Sequence, residues 1–364
     1  MGVVDGLAGV SLFYYYLNKK DLCISFLEKA IEGLNDTYSG TNIVSDIMDI
    51  GKLLNYYEEK KLLTPEDTQF YYENYEPIIE DLLMDGLKEN NLNPMSGTLK
   101  YGNYFIYRAK HSDKDFSYIF LEILNKIEEL SHYDEKTDGI YWKSNVKRED
   151  RNLIELGVKH GVIGIIDFLV KLYENGFEKE RVFELIKKGL KYVSSFKLKN
   201  EKSLFPFCTD NVPDAKSFSF GIIYGDLGIA YGMYKAGDIC NMEEYKKLAI
   251  EVLTNLSKFR DDKNESITDA NLLYGNLGVA SLLQLLQNKI ETNFLDGTID
   301  YWYSKTKEHK IHEGKWAGFD TTFNKFDINA QLSFSHGIVG IGIMLLNFEN
   351  KNNFDFLHFI DYEI

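Results

Sequence analysis

Residues 156–176, LGVKHGVIGIIDFLVKLYENG, decide the fold of this chain. Two glycines, Gly161 and Gly164, lead into an apolar run with the three- and four-residue spacing of a helix. The run is apolar on nearly all sides, so we predict a helix that is buried all round. Glycine near its start allows close backbone approach, which we expect at the crowded centre of the fold.

The same pattern recurs along the chain and predicts a helical repeat. Seven copies are recognisable, spaced about 40 to 65 residues apart, as is typical of helical repeat proteins. Stretches between the copies, such as residues 20–34 and 178–196, are amphipathic, as expected of helices with one face in water. We therefore predict an all-α protein, an α/α toroid of about seven helical hairpins, with inner and outer helix layers in one domain over residues 1–364.

Charge, hydropathy and cysteine content exclude several classes of function. A formal net charge of -15 argues against nucleic acid and anionic membranes as partners, and is compatible with a neutral or basic peptide. No apolar run approaches the roughly 18 to 20 residues of a membrane-spanning helix, so no membrane span is predicted. Cys23, Cys208 and Cys240 form no CxxC pair, which favours a reducing, cytoplasmic setting without disulfides.

The polar connections between the copies and the end of the chain lead to further predictions. Longer polar connections, residues 139–152, 203–217 and 312–331, precede three of the copies and could wall a cleft. A short hairpin is expected around residues 315–323. Because the chain closes soon after the seventh copy, either residues 354–364 supply the last outer helix or a segment upstream of Met1 is missing.

The residue before the first glycine of each motif is the main source of candidate site residues. In the six copies that align, this residue is Asp5, Ser96, His160, Tyr224, Tyr274 or His336. An imidazole exchanges protons near neutral pH, and a phenol can donate one. We therefore predict catalytic functions for His160, Tyr224 and His336, and substrate contacts for Asp5, Tyr274 and Asp226. The alternative is that both histidines only cap helices.

These motifs resemble those of the lanthionine synthetase C-like family over nearly the whole chain. Residues 157–164, GVKHGVIG, match the family motif GxxHGxxG without a gap. The resemblance implies a seven-fold α/α toroid that closes thioether rings, by adding a peptide cysteine thiolate to a dehydrated Ser or Thr. It also implies that His160 acts as an acid or base, and that Tyr224 is the tyrosine of the fifth motif.

The zinc ligands that the resemblance implies are missing from this chain. The family's catalytic zinc is held by a cysteine in the fifth motif and a Cys-His pair in the sixth, where this chain has Ile223, Leu273 and Tyr274. We predict no metal and no other cofactor, because Ile and Leu offer no lone pair. A relocated metal site would need His160, His336, Asp5 and Cys208 to converge, which no spacing enforces. An acidic residue of some relatives is also lost, with Asn93 nearby.

Three hypotheses for function follow. The first is a zinc-independent cyclase for a dehydrated precursor peptide, in which His160 deprotonates the thiol and Tyr224 or His336 protonates the enolate. Kinase-fused synthetases that resemble the family include cyclase domains without the zinc ligands. The second is a non-catalytic, peptide-binding subunit that works with a dehydratase or another modifying enzyme. The third is a carbohydrate-active toroid, which would need two facing carboxylates, and only Asp5 and Asp226 come into question.

Overall fold

A computed structural model of the chain describes residues 1–35, 37–38, 42–148, 151–199, 202–209, 219–261, 267, 269–310, 313, 316–319 and 331–364. These residues form mainly α-helices, and their contacts group into two compact units. The first unit comprises residues 1–79 and 267–364, and the second comprises residues 80–266. The single domain predicted from the sequence stays a prediction.

Six of the seven glycine motifs lead into a helix, and Gly51 of the second copy lies inside its helix. In chain order the helices of the described residues are α1 (Leu7–Tyr16), α2 (Lys20–Glu32), α3 (Ile43–Glu59), α4 (Pro65–Lys88), α5 (Thr98–Ala109), α6 (Ser117–Glu129), α7 (Val162–Glu174), α8 (Lys179–Ser195), α9 (Asp226–Ile239), α10 (Glu243–Lys258), α11 (Asn276–Ile290), α12 (Asp296–Ser304) and α13 (Ile338–Glu349). The odd-numbered helices carry the motifs and are called motif helices below. The even-numbered helices are the connecting helices between them.

Burial separates the two kinds of helix as the sequence predicted. In α7 every residue from Val162 to Leu172 is buried. In α8 the buried residues share one face: Val182, Ile186, Gly189, Leu190, Tyr192 and Val193. The difference arises because α7 packs against α5, α8 and α9, whereas the other face of α8 meets solvent.

Charged side chains interrupt the apolar interior of the second unit, which the sequence did not predict. Asp167 of α7 accepts a hydrogen bond from Lys235 Nζ at 2.8 Å and pairs with Lys171 Nζ at 3.1 Å. Lys171 also donates to Asn103 Oδ1 at 3.1 Å. Burial raises the pKa of Asp167, but the two ammonium groups outweigh it and hold the pKa below its ordinary value.

The second glycine of the motif is required by its own turn. A Cβ atom on Gly164 would lie 1.9 Å from the carbonyl oxygen of Val158, at the start of the same motif. The same relation joins Gly9 to Val3, Gly228 to Ile222, Gly278 to Leu272 and Gly340 to Phe334. This close approach is therefore local, between the turn and the first turn of its helix. The close approach expected at the centre of the fold stays a prediction.

Short strands occur in the connection before α7. β1 (His132–Asp134) pairs antiparallel with β2 (Gly139–Tyr141), and β3 (Lys147–Arg148) pairs with β4 (Arg151–Asn152). Of the hairpin expected at residues 315–323, only residues 316–319 are described, and Trp316–Gly318 form a 3-10 turn. The rest of that segment lies outside the described residues.

The tail of the chain packs into the first unit. Phe356–Ile360 form a 3-10 helix in which Phe356 and Phe359 pack edge-on against Phe334. Lys52 of α3 donates to Asp361 beside it. The tail thus provides a short buried cap and not an α-helix. None of the helices in the described ranges has the length and apolarity that a membrane span requires.

Candidate active site

A folded-back turn presents the candidate residue before every motif helix except α3. Gly161, the N-cap of α7, is extended, and the amide of Val162 donates to the Glu155 carbonyl at 2.9 Å. This hydrogen bond joins the turn to the first residue of the helix. The His160 side chain on the turn is half-buried. Tyr224 stands in the same relation to Gly225 and α9. The motif therefore places both side chains by the same local geometry.

In the second unit the structure brings His160 and Tyr224 together. Their rings stack with centroids 5.6 Å apart and an interplanar angle of 24°. Tyr224 also contacts Phe207, edge-on at 5.6 Å, within a buried cluster that also contains Leu153 and Cys208. The phenol is thus held between this cluster and the imidazole, which fixes the position of both rings.

Asn93 is the third member of this site, and sequence reasoning assigned it no function. Its Nδ2 lies 3.0 Å from His160 Nδ1. Its Oδ1 accepts hydrogen bonds from the backbone amides of Met95 at 2.9 Å and Ser96 at 3.0 Å. An Asn that bonds the amides two and three residues ahead forms an Asx turn, and the sequence NPMS is the signal that could have indicated it.

The first unit contains a similar pair, Tyr274 and His336. The rings stack with centroids 5.7 Å apart and an interplanar angle of 23°. Ser335, which the sequence reasoning missed, is fully buried; its Oγ lies 2.6 Å from His336 Nδ1 and 2.8 Å from Asp5 Oδ1. Burial raises the pKa of Asp5, but the neighbouring His336, whose Nδ1 lies 3.8 Å from Oδ1, and the hydrogen bond from Ser335 outweigh it and lower the pKa. Asp5, predicted to contact substrate, therefore also orients His336 through Ser335.

The carboxylate of Asp226, which was predicted to contact substrate, is buried and hydrogen-bonded to residues 203–205. It has no exposed surface and accepts hydrogen bonds from the amides of Leu204 at 2.6 Å and Phe205 at 3.1 Å, and from Ser203 Oγ at 3.0 Å. Burial raises the pKa of Asp226 to about 7, although these three donors act in the opposite direction. The geometry favours anchoring of residues 203–205 over the predicted contact with substrate.

The residues at the family's zinc positions do not fit a zinc ion. Ile223 and Leu273 are hydrocarbons, 2% and 4% exposed, and Tyr274 is stacked on His336. Structural and catalytic zinc needs thiolate, imidazole or carboxylate donors, which these side chains lack. Across the described ranges, no group of three or more His, Cys, Asp or Glu side chains could hold a metal ion.

Two comparisons with known proteins find matches over nearly the whole chain. The sequence profile described as "Lanthionine synthetase C-like protein" matches residues 1–360. A solved structure, "Nisin cyclase", is similar with a TM-score of 0.75 at 16% identity, over 98% of this chain and 91% of that one. This likeness shows the fold and confirms the predicted all-α, α/α-toroid class. A search of curated proteins finds no match.

Proposed function

Because this chain belongs to the lanthionine synthetase C-like family, we propose that it closes thioether rings in a dehydrated precursor peptide without zinc. One observation carries the proposal: the second unit holds a stacked His160–Tyr224 pair on the motif turns, supported by Asn93, although Ile223 and Leu273 occupy two of the three zinc-ligand positions. A chain that had lost its chemistry entirely would have no need for the polar pair.

The reaction does not require a metal in principle. A peptide cysteine has an ordinary pKa of about 8.5, so a few per cent is thiolate near neutral pH. The thiolate adds to the β-carbon of a dehydrated residue, and negative charge develops on the neighbouring carbonyl oxygen as an enolate. Holding the two groups together and stabilising that charge are the tasks left to the protein. His160 and Tyr224 are the polar side chains that support these tasks.

The charge of the chain indicates the kind of peptide it would take. A net charge of -15 attracts a basic peptide at low ionic strength. A dehydratase is the class of partner whose product would be the substrate here. We place the reaction in the cytoplasm, where the three cysteines would stay reduced.

A second candidate function is peptide binding without catalysis. It is favoured by the apolar residues at the zinc positions, which leave the thiolate without its usual activating ion. A carbohydrate enzyme is less well supported, because Asp226, one of its two carboxylates, is buried and fully engaged by Ser203, Leu204 and Phe205.

A direct assay separates the two candidates. The probe is a synthetic basic peptide with one dehydroalanine upstream of one cysteine. Cyclisation leaves the mass unchanged, so ring closure is followed as loss of the thiol that N-ethylmaleimide labels, by mass spectrometry. We expect the wild-type protein to accelerate closure and His160→Ala to lose about 10²- to 10³-fold of the rate. His132→Ala, which changes an exposed histidine of the same unit, should retain the wild-type rate.

Closure at the uncatalysed rate would contradict the cyclase. Binding of the same peptide, measured by fluorescence anisotropy, would then favour the non-catalytic subunit. If the protein neither accelerates ring closure nor binds the peptide, both candidate functions are contradicted.

A further inference from the structure

The orientation of the Asn93 side-chain amide is determined by its backbone partners. Two amide N–H groups, from Met95 and Ser96, point at one end of it, at 2.9 and 3.0 Å. An N–H group can only donate, so the end that it meets must be the oxygen. The NH2 end therefore faces His160, and Nδ2 is the nearer atom to Nδ1, at 3.0 Å against 3.3 Å for Oδ1.

This orientation determines which nitrogen of His160 carries the proton. The NH2 group of Asn93 has no lone pair to offer, so Nδ1 must accept the hydrogen bond. In the neutral imidazole the proton then resides on Nε2. A proton on Nδ1 would face the NH2 group of Asn93, so that two donors would point at each other. This contact disfavours the imidazolium, which carries a proton on both nitrogens, as it does the neutral ring protonated on Nδ1.

His336 shows the opposite arrangement in the first unit. Asp5 is an ionised carboxylate, so Ser335 donates its single hydrogen to Asp5 Oδ1 at 2.8 Å. The Ser335 oxygen, 2.6 Å from Nδ1 of His336, must then accept. The neutral His336 ring consequently carries its proton on Nδ1, which donates to Ser335 at the end of a chain of hydrogen bonds to the Asp5 carboxylate.

We propose that Asn93 is a positioning residue that keeps His160 neutral with its proton on Nε2, so that His160 donates a hydrogen bond to the enolate oxygen and does not take the thiol proton. The second half of this statement rests on the proposed cyclase function, and the first half does not. A neutral histidine that polarises a carbonyl oxygen is a known solution where an imidazolium is excluded.

The reaction balances with His160 unchanged. The thiol proton passes to solvent, and the thiolate pair forms the bond from sulfur to the β-carbon. The carbon–carbon π pair shifts toward the carbonyl oxygen, where His160 Nε2–H stabilises it. Tyr224 then gives its hydroxyl proton to the α-carbon, and solvent returns a proton to the phenolate. No oxidant, reductant or metal takes part.

The tautomer is measured directly, without substrate, by long-range 1H–15N correlation spectroscopy of the full-length, 15N-labelled protein. The chain has seven histidines, and loss of one signal set in His160→Gln assigns His160. We expect an unprotonated Nδ1 and a protonated Nε2 for His160, both retained at about pH 6.5, the ordinary histidine pKa. His336, with the reverse pattern, serves as the internal control.

A change at Asn93 tests its part. Asn93→Asp keeps the oxygen that accepts from Met95 and Ser96 but replaces the NH2 group by a second acceptor, so His160 should gain a proton on Nδ1. Ser335→Ala should leave the His160 signals unchanged. A wild-type His160 protonated on Nδ1, whether neutral or charged, would overturn the inference whatever the catalytic result.

Kinetics test the donor function. Glutamine can donate an N–H bond but cannot act as a base, so His160→Gln should close rings at least about tenfold faster than His160→Ala, which loses about 10²- to 10³-fold. The wild-type rate should rise with ionisation of the thiol, near pH 8.5, without a bend near pH 6.5. Equal rates for the Gln and Ala variants, or a bend near pH 6.5 that the Gln variant lacks, would refute the donor function. If the wild-type protein does not accelerate closure at all, the proposed function fails while the tautomer result stands by itself.

Discussion

His160 and His336 occupy the same position in their motifs and stack on tyrosines in almost the same geometry. Their chemistry nevertheless differs, because the partner of Nδ1 is an amide NH2 group in one case and a serine hydroxyl in the other. Equivalence within a repeat therefore predicts where a side chain stands. It does not predict which of its atoms holds a proton, and the donor function that we propose for His160 differs from the base function that the sequence suggested.

Removing the Tyr224 hydroxyl should slow ring closure without disturbing the site. In Tyr224→Phe the ring still stacks on His160 and packs on Phe207, but the proton donor for the α-carbon is lost. We expect closure to fall by about 10²-fold. Tyr133→Phe, which removes an exposed hydroxyl of the same unit, is the control and should keep the wild-type rate. If Tyr224→Phe keeps full activity, the proton that reaches the α-carbon does not come from Tyr224.

Asp226 should make the unfolding free energy depend on pH. Its folded pKa of about 7 lies above the ordinary 3.8, so between these values the folded state binds the proton more tightly than the unfolded chain. Its contribution is fully present below about pH 4 and is lost as the pH rises through about 7. Urea unfolding across this range should show a steeper fall for the wild type than for Asp226→Asn. Parallel curves would show that Asp226 does not titrate there.

At the scale of the helix, the second motif glycine should tolerate no side chain. In Gly164→Ala the added methyl group meets the Val158 carbonyl, which belongs to the same tight turn and cannot move away. We expect a loss of about 1 to 3 kcal/mol in the free energy of unfolding by urea titration. Gly102→Ala is the matched control, because its methyl group meets the side chains of Phe168 and Ile123. An equal or larger loss at Gly102 would contradict this explanation.

The buried charges between motif helices should be sensitive to removal of their shared carboxylate. Asp167→Asn would remove the carboxylate that the buried Lys171 and Lys235 ammonium groups share. Breaking a buried ion pair in this way costs about 3 to 5 kcal/mol. Differential scanning calorimetry should show a large fall in Tm, whereas Asp138→Asn, in an exposed pair with Lys191, should change Tm little. If Asp167→Asn lowers the Tm as little as Asp138→Asn does, the buried ion pairs add no stability.

At the scale of the whole molecule, function should not depend on zinc. The positions of Ile223 and Leu273 offer no donor atoms, so protein purified without added metal should contain far less than one zinc per chain by mass spectrometry. EDTA should leave both the Tm and the rate of ring closure unchanged. Near-stoichiometric zinc that a His160→Ala, His336→Ala double variant loses would instead reveal a relocated metal site.

The sequence alone determined the helices and their burial. The glycine pair and the apolar spacing act within a single motif, so residues 156–176 already contain the physical reasons for a tight turn and a buried helix. It also placed His160 and Tyr224 on equivalent turns and showed that the zinc donors are absent. The catalytic functions assigned to His160, Tyr224 and His336 stay proposals.

Only the tertiary structure decided how those side chains can act. The proton of His160 depends on Asn93, which lies in the motif before α5, and that of His336 depends on Ser335 and on Asp5 near the other end of the chain. The carboxylate of Asp226 accepts hydrogen bonds from residues 203–205, which no local pattern predicted. Protonation and charge depend on the few atoms within hydrogen-bonding distance, and these come from chain segments whose meeting no local pattern encodes.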